Sequence, residues 1–265
     1  MRKPSLLLIV MVASIGAGPQ DELLRARQLY NQRLYNLAID SATAARRAPQ
    51  LADAASLVLA RSLLERFRNS SDAADLTAAR SELQQIHPAG LVPSDQVELV
   101  IALGEALYLD DQAGAAVEEF EMALGSVDPK NAAARERMLD WWASALDRQA
   151  QLRAEPERQP LYARIVARME DELRRDPGCA AASYWLVAGA RGSGDLERAW
   201  DAALAAWARA SLAGDQRDRL RADLERIVTQ ALIPERARLL SPPGGSAQTT
   251  AAMHGEWDSM KQTWR

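Results

Sequence analysis

Two histidines (His87, His254) and one cysteine (Cys179) are the only imidazole and thiol groups in this chain of 265 residues. They are too few for a His/Cys zinc site, and a lone cysteine builds no disulfide framework. Cys179 follows the turn Pro177-Gly178 with no histidine nearby in sequence, so nothing activates its thiol. His87 stands before Pro88, where a helix end and a surface or capping role are expected. Gly192, Ser193 and Gly194 lack the continuation of a phosphate loop and read as a turn between helices. The acidic pairs Asp110/Asp111 and Glu118/Glu119 are adjacent, so on a helix each pair points about 100° apart and forms no acid/base dyad. The sequence therefore predicts no catalytic residue, no metal site and no cofactor, and a protein that is not an enzyme.

Charge and composition narrow the partners. Lysine and arginine total 32 against 36 acidic residues, a net charge of −4. No basic field is available to collect nucleic acid by counterion release, so none is expected as a partner. With 48% hydrophobic and 26% charged residues, the chain is neither largely disordered nor a polytopic membrane protein. Lysine occurs at 3, 130 and 261 alone, and arginine elsewhere, which with the alanine richness suits a high-GC bacterial genome.

The N-terminus has the layout of an export signal. The segment Met1 to Lys3 is basic through Arg2 and Lys3, Leu6 to Ala17 is apolar, and Ala13 to Gly18 is small. About 14 residues of helix reach roughly 21 Å, short of a hydrocarbon core of about 30 Å. Residues 1–17 are expected to be a cleaved signal peptide and the product periplasmic or secreted. An uncleaved inner-membrane anchor is the alternative, and the signal is then the one membrane contact. No cysteine beside the apolar run could carry a lipid.

The remaining chain has no run of alternating apolar and polar residues, while alanine, leucine, arginine and glutamate dominate. An all-α fold follows. Proline and glycine clusters at Pro49, Pro88 to Pro93, Pro129, Pro156 to Pro160, Pro177-Gly178, Gly192 to Gly194 and Gly214 punctuate it.

The segments between them repeat roughly. Leu103-Gly104, Leu107-Tyr108, Ala116, Phe120, Ala123-Leu124 and Asp128-Pro129 form the clearest unit. Similar patterns are Leu186, Gly194-Asp195-Leu196, Ala199, Ala203, Ala206, and Ala26, Leu29-Tyr30, Tyr35, Ala38, Ala42, Ala45, Pro49. Two looser units contain Leu59-Ala60, Ala79, Leu83 and Leu139, Trp142-Ala143, Asp176-Pro177. They fit if loops near Asn69 to Ala74 and Arg153 to Pro160 are lengthened, which costs under about 1 kcal/mol. Small residues fall at Ala26, Ala60, Gly104 and Ala143, with Val187 departing in the fifth unit.

These units resemble the tetratricopeptide repeat, a helix–turn–helix module. The resemblance implies a right-handed α-solenoid of about five helix pairs over residues 18–240, closed by a capping helix at 215–232. There Leu220, Leu224, Ile227, Val228 and Ala231 form one apolar stripe. In such solenoids the first helices of the pairs line a concave face that holds a peptide or partner helix. Carried over, the partner-binding positions are Arg27, Tyr30, Asn31, Arg61, Glu65, Glu105, Tyr108, Asp140, Ser144, Asp147, Tyr184 and Arg191.

All seven tryptophans fall in the second half. Trp142 and Trp185 are expected in the core, Trp207 against the capping helix, and Trp141 as an exposed apolar contact. Residues 241–252 read as a flexible linker and 253–265 as a short amphipathic segment. Met253, Trp257, Met260 and Trp264 recur at four, three and four, one stripe for docking in cis or in trans. The expected function is a non-catalytic protein-interaction scaffold of the bacterial cell envelope, with a protein or peptide as partner. Two alternatives stay open: an enzyme or enzyme-accessory domain with an unrecognised cleft, and a self-associating structural protein, a homo-oligomer.

Overall fold

The computed structural model describes residues 18–128, 131–242 and 245–264, and the expected signal peptide, Pro129 and Lys130 lie outside them. Every regular element among the described residues is helical. The packing groups the chain into two compact units, Met1–Leu99 and Val100–Arg265.

In the first unit, α1 (Pro19–Asn31), α2 (Tyr35–Ala45), α3 (Ala52–Ser70) and α4 (Ala73–Gln85) follow one another, and α5 (Pro93–Leu109) begins. Helices α2, α3 and α4 each pack on their predecessor, and α1 also packs on α3. Alanine makes this possible: Ala26, Ala38, Ala42, Ala45 and Ala60 are fully buried, and their lack of bulk lets backbones approach closely. Polar ties join the helices. Arg66 grips the buried Asp75 with two hydrogen bonds of 2.7 and 2.5 Å and donates to Asn36 at 3.0 Å. The charge-assisted pair raises the pKa of Arg66.

In the second unit, the end of α5 is followed by α6 (Ala113–Ser126), α7 (Ala132–Gln151), α8 (Glu155–Arg175), α9 (Ala180–Gly192) and α10 (Leu196–Arg209). A 3-10 stretch over Ala210–Gln216 leads to α11 (Arg217–Ile227), then α12 (Ile233–Leu240) and α13 (Ser246–Thr263). Again α7 packs on both α8 and α9, and α9 on α10 and α11. Glu172, 4% exposed, accepts two hydrogen bonds from Arg135 at 2.7 and 2.8 Å, joining α8 to α7.

One turn geometry recurs in both units. In the α1–α2, α5–α6 and α9–α10 turns, the N–H groups of Leu34, Gln112 and Asp195 donate to the carbonyls of Leu29, Leu107 and Ala190, at 2.9 to 3.0 Å. The residue before each donor is left-handed: Arg33 (φ 61°), Asp111 (φ 61°) and Gly194 (φ 83°). This is the Schellman termination, which satisfies the last carbonyls of a helix. Counted from it, Ala26, Gly104 and Val187 share one position seven residues earlier. Ala38, Ala116 and Ala199 share one five residues later, all three buried. Val187, which sequence pattern sets apart, thus stands in the register of the other two.

Several expected boundaries differ. The two looser segments have no lengthened loops. Helix α3 runs to Ser70 with only Ser71 and Asp72 before α4, and α8 starts at Glu155. Pro156 lies in the first turn of α8, where no N–H is required. Pro160 lies one turn on, along a stretch fully exposed to water, which can solvate the carbonyl it leaves unpaired. The cap at 215–232 begins at Arg217, after a kink at Gly214 (φ 57°), and does not stop at Leu232, ahead of Pro234. A π-helical turn over Val228–Leu232 widens the backbone just before that proline, and helix continues to Leu240. The linker expected over 241–252 is short, because α13 already begins at Ser246.

Candidate functional site

Three helices of the second unit, α7, α9 and α11, enclose a cleft of about 420 Å³. Each contributes one stripe at helical spacing. Glu136, Arg137 and Asp140 come from α7, Ala180, Ala181 and Tyr184 from α9, and Arg219, Leu220, Asp223 and Arg226 from α11. The carboxylates are engaged from within. Glu136 accepts from the N–H of Ala181 at 2.9 Å, and Asp140 accepts from Nε1 of Trp185 at 2.8 Å. Asp223 accepts from Arg226 at 2.6 Å, with Arg219 at 3.9 Å. Arg137 has no partner among the described residues. Burial raises the pKa of the Tyr184 phenol, and the charge of Asp223 adds to the effect. The cleft thus has an apolar wall of Tyr184 and Leu220 and a rim of both charge signs, suited to a polypeptide segment.

In the first unit, α1, α3 and the start of α5 form a smaller hollow of about 240 Å³. It brings together Arg27, Tyr30, Asn31 and Arg61 of the expected set. Arg27 donates to Asp95 at 2.6 Å and Arg61 pairs with Glu98 at 2.8 Å. The Arg61 guanidinium also lies over the Tyr30 ring, 4.5 Å from its centroid. Glu65 does not line the hollow, and it accepts from Arg68 at 3.0 Å.

The other expected positions serve packing. Glu105 is buried. Tyr108 stacks under Arg148 at 5.0 Å and meets Trp141 edge-on at 5.3 Å. Trp141, expected as an exposed contact, is half-buried between Tyr108 and Phe120. Asp147 accepts from the hydroxyl of Tyr162 at 2.9 Å. Burial raises the pKa of Asp147, and burial with the neighbouring Asp147 pushes Tyr162 up to about 12. Ser144 is half-buried beside them on α7. Arg191 is held by two hydrogen bonds to Glu235 of α12, at 2.8 and 2.5 Å. Of the expected set, the large cleft gathers Asp140 and Tyr184 alone.

Sequence reasoning missed Glu136, Arg137, Arg219, Asp223 and Arg226 as cleft residues. A signal existed: Glu136 and Arg137 lie one turn before Asp140, and Arg219 and Asp223 flank Leu220 at −1 and +3. The capping helix was read for its apolar stripe; Leu220 of that stripe, with Arg219, Asp223 and Arg226 beside it, supplies the cleft's third wall.

The tail docks in cis, on the end of the second unit. Met253 is 6% and Trp257 0% exposed, and Met260 packs on the same core. The Trp257 ring meets Trp207 at 5.2 Å and Trp200 at 6.2 Å between centroids. Its Nε1 donates to Glu225 at 2.8 Å, and Lys261 donates to the same carboxylate at 2.9 and 3.0 Å. Trp264 leaves the expected stripe: it follows the last helical residue, and its side chain is half exposed. Its carbonyl accepts from Arg221 at 2.9 Å.

Cys179 caps α9, its Sγ accepting from Ala182 N–H at 3.4 Å, and burial pushes its thiol up to about 12. Among the described residues, no three His, Cys, Asp or Glu side chains are grouped to hold a metal ion, and no helix is long and apolar enough to cross a membrane. Comparison with protein-family models, curated proteins and solved structures finds no match to this chain.

Proposed function

We propose that this protein is a non-catalytic interaction scaffold of the bacterial cell envelope, built from tetratricopeptide-like helix pairs, that holds a segment of a partner protein. The observation that carries this reading is the cleft between α7, α9 and α11. Its walls come from alternate helices, α7, α9 and α11, as on the ligand face of a helical-repeat protein. Arg137 and Arg219 extend donors toward an occupant, while Tyr184 and Leu220 offer apolar area at modest entropic cost. Export is supported by the basic start and the apolar run of Leu6 to Ala17.

The test is site-specific photocrosslinking in cells, with a photoreactive residue at Arg137 or Ala181 and a control at the exposed Gln248. One defined protein captured at both cleft positions, lost on Tyr184→Glu and absent from the control, is the expected result. Equal or no capture at cleft and control positions overturns the reading.

A further inference from the structure

Helix α11 has two working faces. One lines the cleft through Arg219, Leu220, Asp223 and Arg226. The other carries Glu225, which receives both Trp257 and Lys261 of α13, and Arg221, which donates to the carbonyl of Trp264. The backbone on either side of α11 is irregular: the Gly214 kink precedes it and the π turn follows it. Such segments transmit little stiffness along the chain, so side-chain packing must hold α11 in place. Leu220, Leu224 and Ile227 are its buried apolar residues; α13 packs on α12 and α10, placing Trp257 beside Trp200 and Trp207 of α10, and reaches α11 through Trp257 and Lys261 on Glu225. Helix α13 carries Gly255 and three threonines, poor helix formers, and helices in proteins owe most of their stability to packing, so it is ordered only while docked.

We propose that α13 is a releasable clamp: its docking fixes α11 and thereby the third wall of the cleft, and its release opens that wall. The proposal deepens, and rests on, the reading of the cleft as the partner site. Linkage makes the effect reciprocal. A partner that braces α11 from the cleft side strengthens α13 docking, and a competitor that captures α13 weakens the partner's hold.

The test is amide hydrogen exchange by mass spectrometry on the full chain, with hydroxyl-radical labelling of Tyr184, comparing wild type with Trp257→Ala and Trp257→Phe. The expected result is exchange at least about ten-fold faster in both α13 and α11, with α8 unchanged and Tyr184 labelled more strongly. Loss of protection confined to α13, with α11 and Tyr184 as in wild type, overturns the proposal. If Trp257→Ala also exposes α8, Trp257→Phe decides. It keeps an aromatic ring in the cluster and removes the donor to Glu225. Faster exchange in α13 and α11 alone then supports the clamp, and α11 at the wild-type rate overturns it. Failure of crosslink capture at the cleft would remove the binding reading without altering this exchange result, so the two can fail separately.

Discussion

Substituting Gly104→Ala sets two effects of known size against each other. In a helix interior alanine is favoured over glycine by about 1 kcal/mol, so on propensity alone α5 gains. The new Cβ, however, would lie 2.7, 2.9 and 3.1 Å from three carbons of the Phe120 ring. Carbon contacts rest at about 3.5–4.0 Å, so the ring must retreat by about 1 Å. Phe120 is fully buried and stacked on Trp141 with centroids 5.6 Å apart, and Trp141 is braced edge-on by Tyr108. Retreat therefore displaces three rings. Overpacking of this kind costs about 1–3 kcal/mol, and the constrained ring stack places this case in the upper part of that range. The net expectation is a loss of about 1–2 kcal/mol, read by urea denaturation followed by circular dichroism. The melting temperature should fall by about 2–4 °C per kcal/mol. Phe120→Leu in the same chain should recover part of the loss, with a coupling of about 1 kcal/mol. A stabilised Gly104→Ala variant with no coupling to Phe120 would refute the argument that this position must be small.

Three further outcomes are expected. Glu172→Ala strands the charge of Arg135 between α7 and α8 and should destabilise the protein by about 3 kcal/mol, with Arg135→Met on that background restoring much of it, measured by chemical denaturation. The Cys179 thiol should resist alkylation at pH 8 until denaturant is added. With its folded pKa pushed up to about 12, its contribution to stability is present below about pH 8.5 and lost as pH rises toward 12, visible as a falling urea midpoint. At the recurrent turn, Arg33→Gly should stabilise by about 0.5–1 kcal/mol and Gly194→Ala should cost about 1 kcal/mol, because both positions are left-handed; thermal melts of the two variants must shift in opposite directions.

The helical class is legible in the sequence, and so is the recurrence of buried alanines at one offset from three of the turns. The turns were harder to place. Only Gly194 announces its left-handed backbone, whereas Arg33 and Asp111 adopt it without the residue type that signals it. Proline was read too literally. Pro160 and Pro234 stand inside helices, since a solvated first turn and a π turn absorb the missing N–H. Extra residues in the looser segments lengthen helices rather than loops, which spacing alone does not distinguish. Two residues of the tail stripe, Met253 and Trp257, are buried. Its receptor, the tryptophan pair on α10 with Glu225 on α11, is set by tertiary contacts that no local pattern contains. The same limit explains the candidate site. First-helix positions were chosen by phase, but phase does not reveal which of them neighbouring arginines and carboxylates have already claimed.

The confinement of every tryptophan to the second unit makes the protein its own two-colour reporter. Indole emission excited at the red edge of the band arises from Val100–Arg265 alone, while the aromatic residues of the first unit are Tyr30, Tyr35 and Phe67. Backbone ellipticity, in contrast, averages over both. Superimposable unfolding curves from the two signals would mean that the units melt as one cooperative body. A fluorescence transition displaced from the ellipticity transition would date the loss of each unit separately, without a label or a substitution.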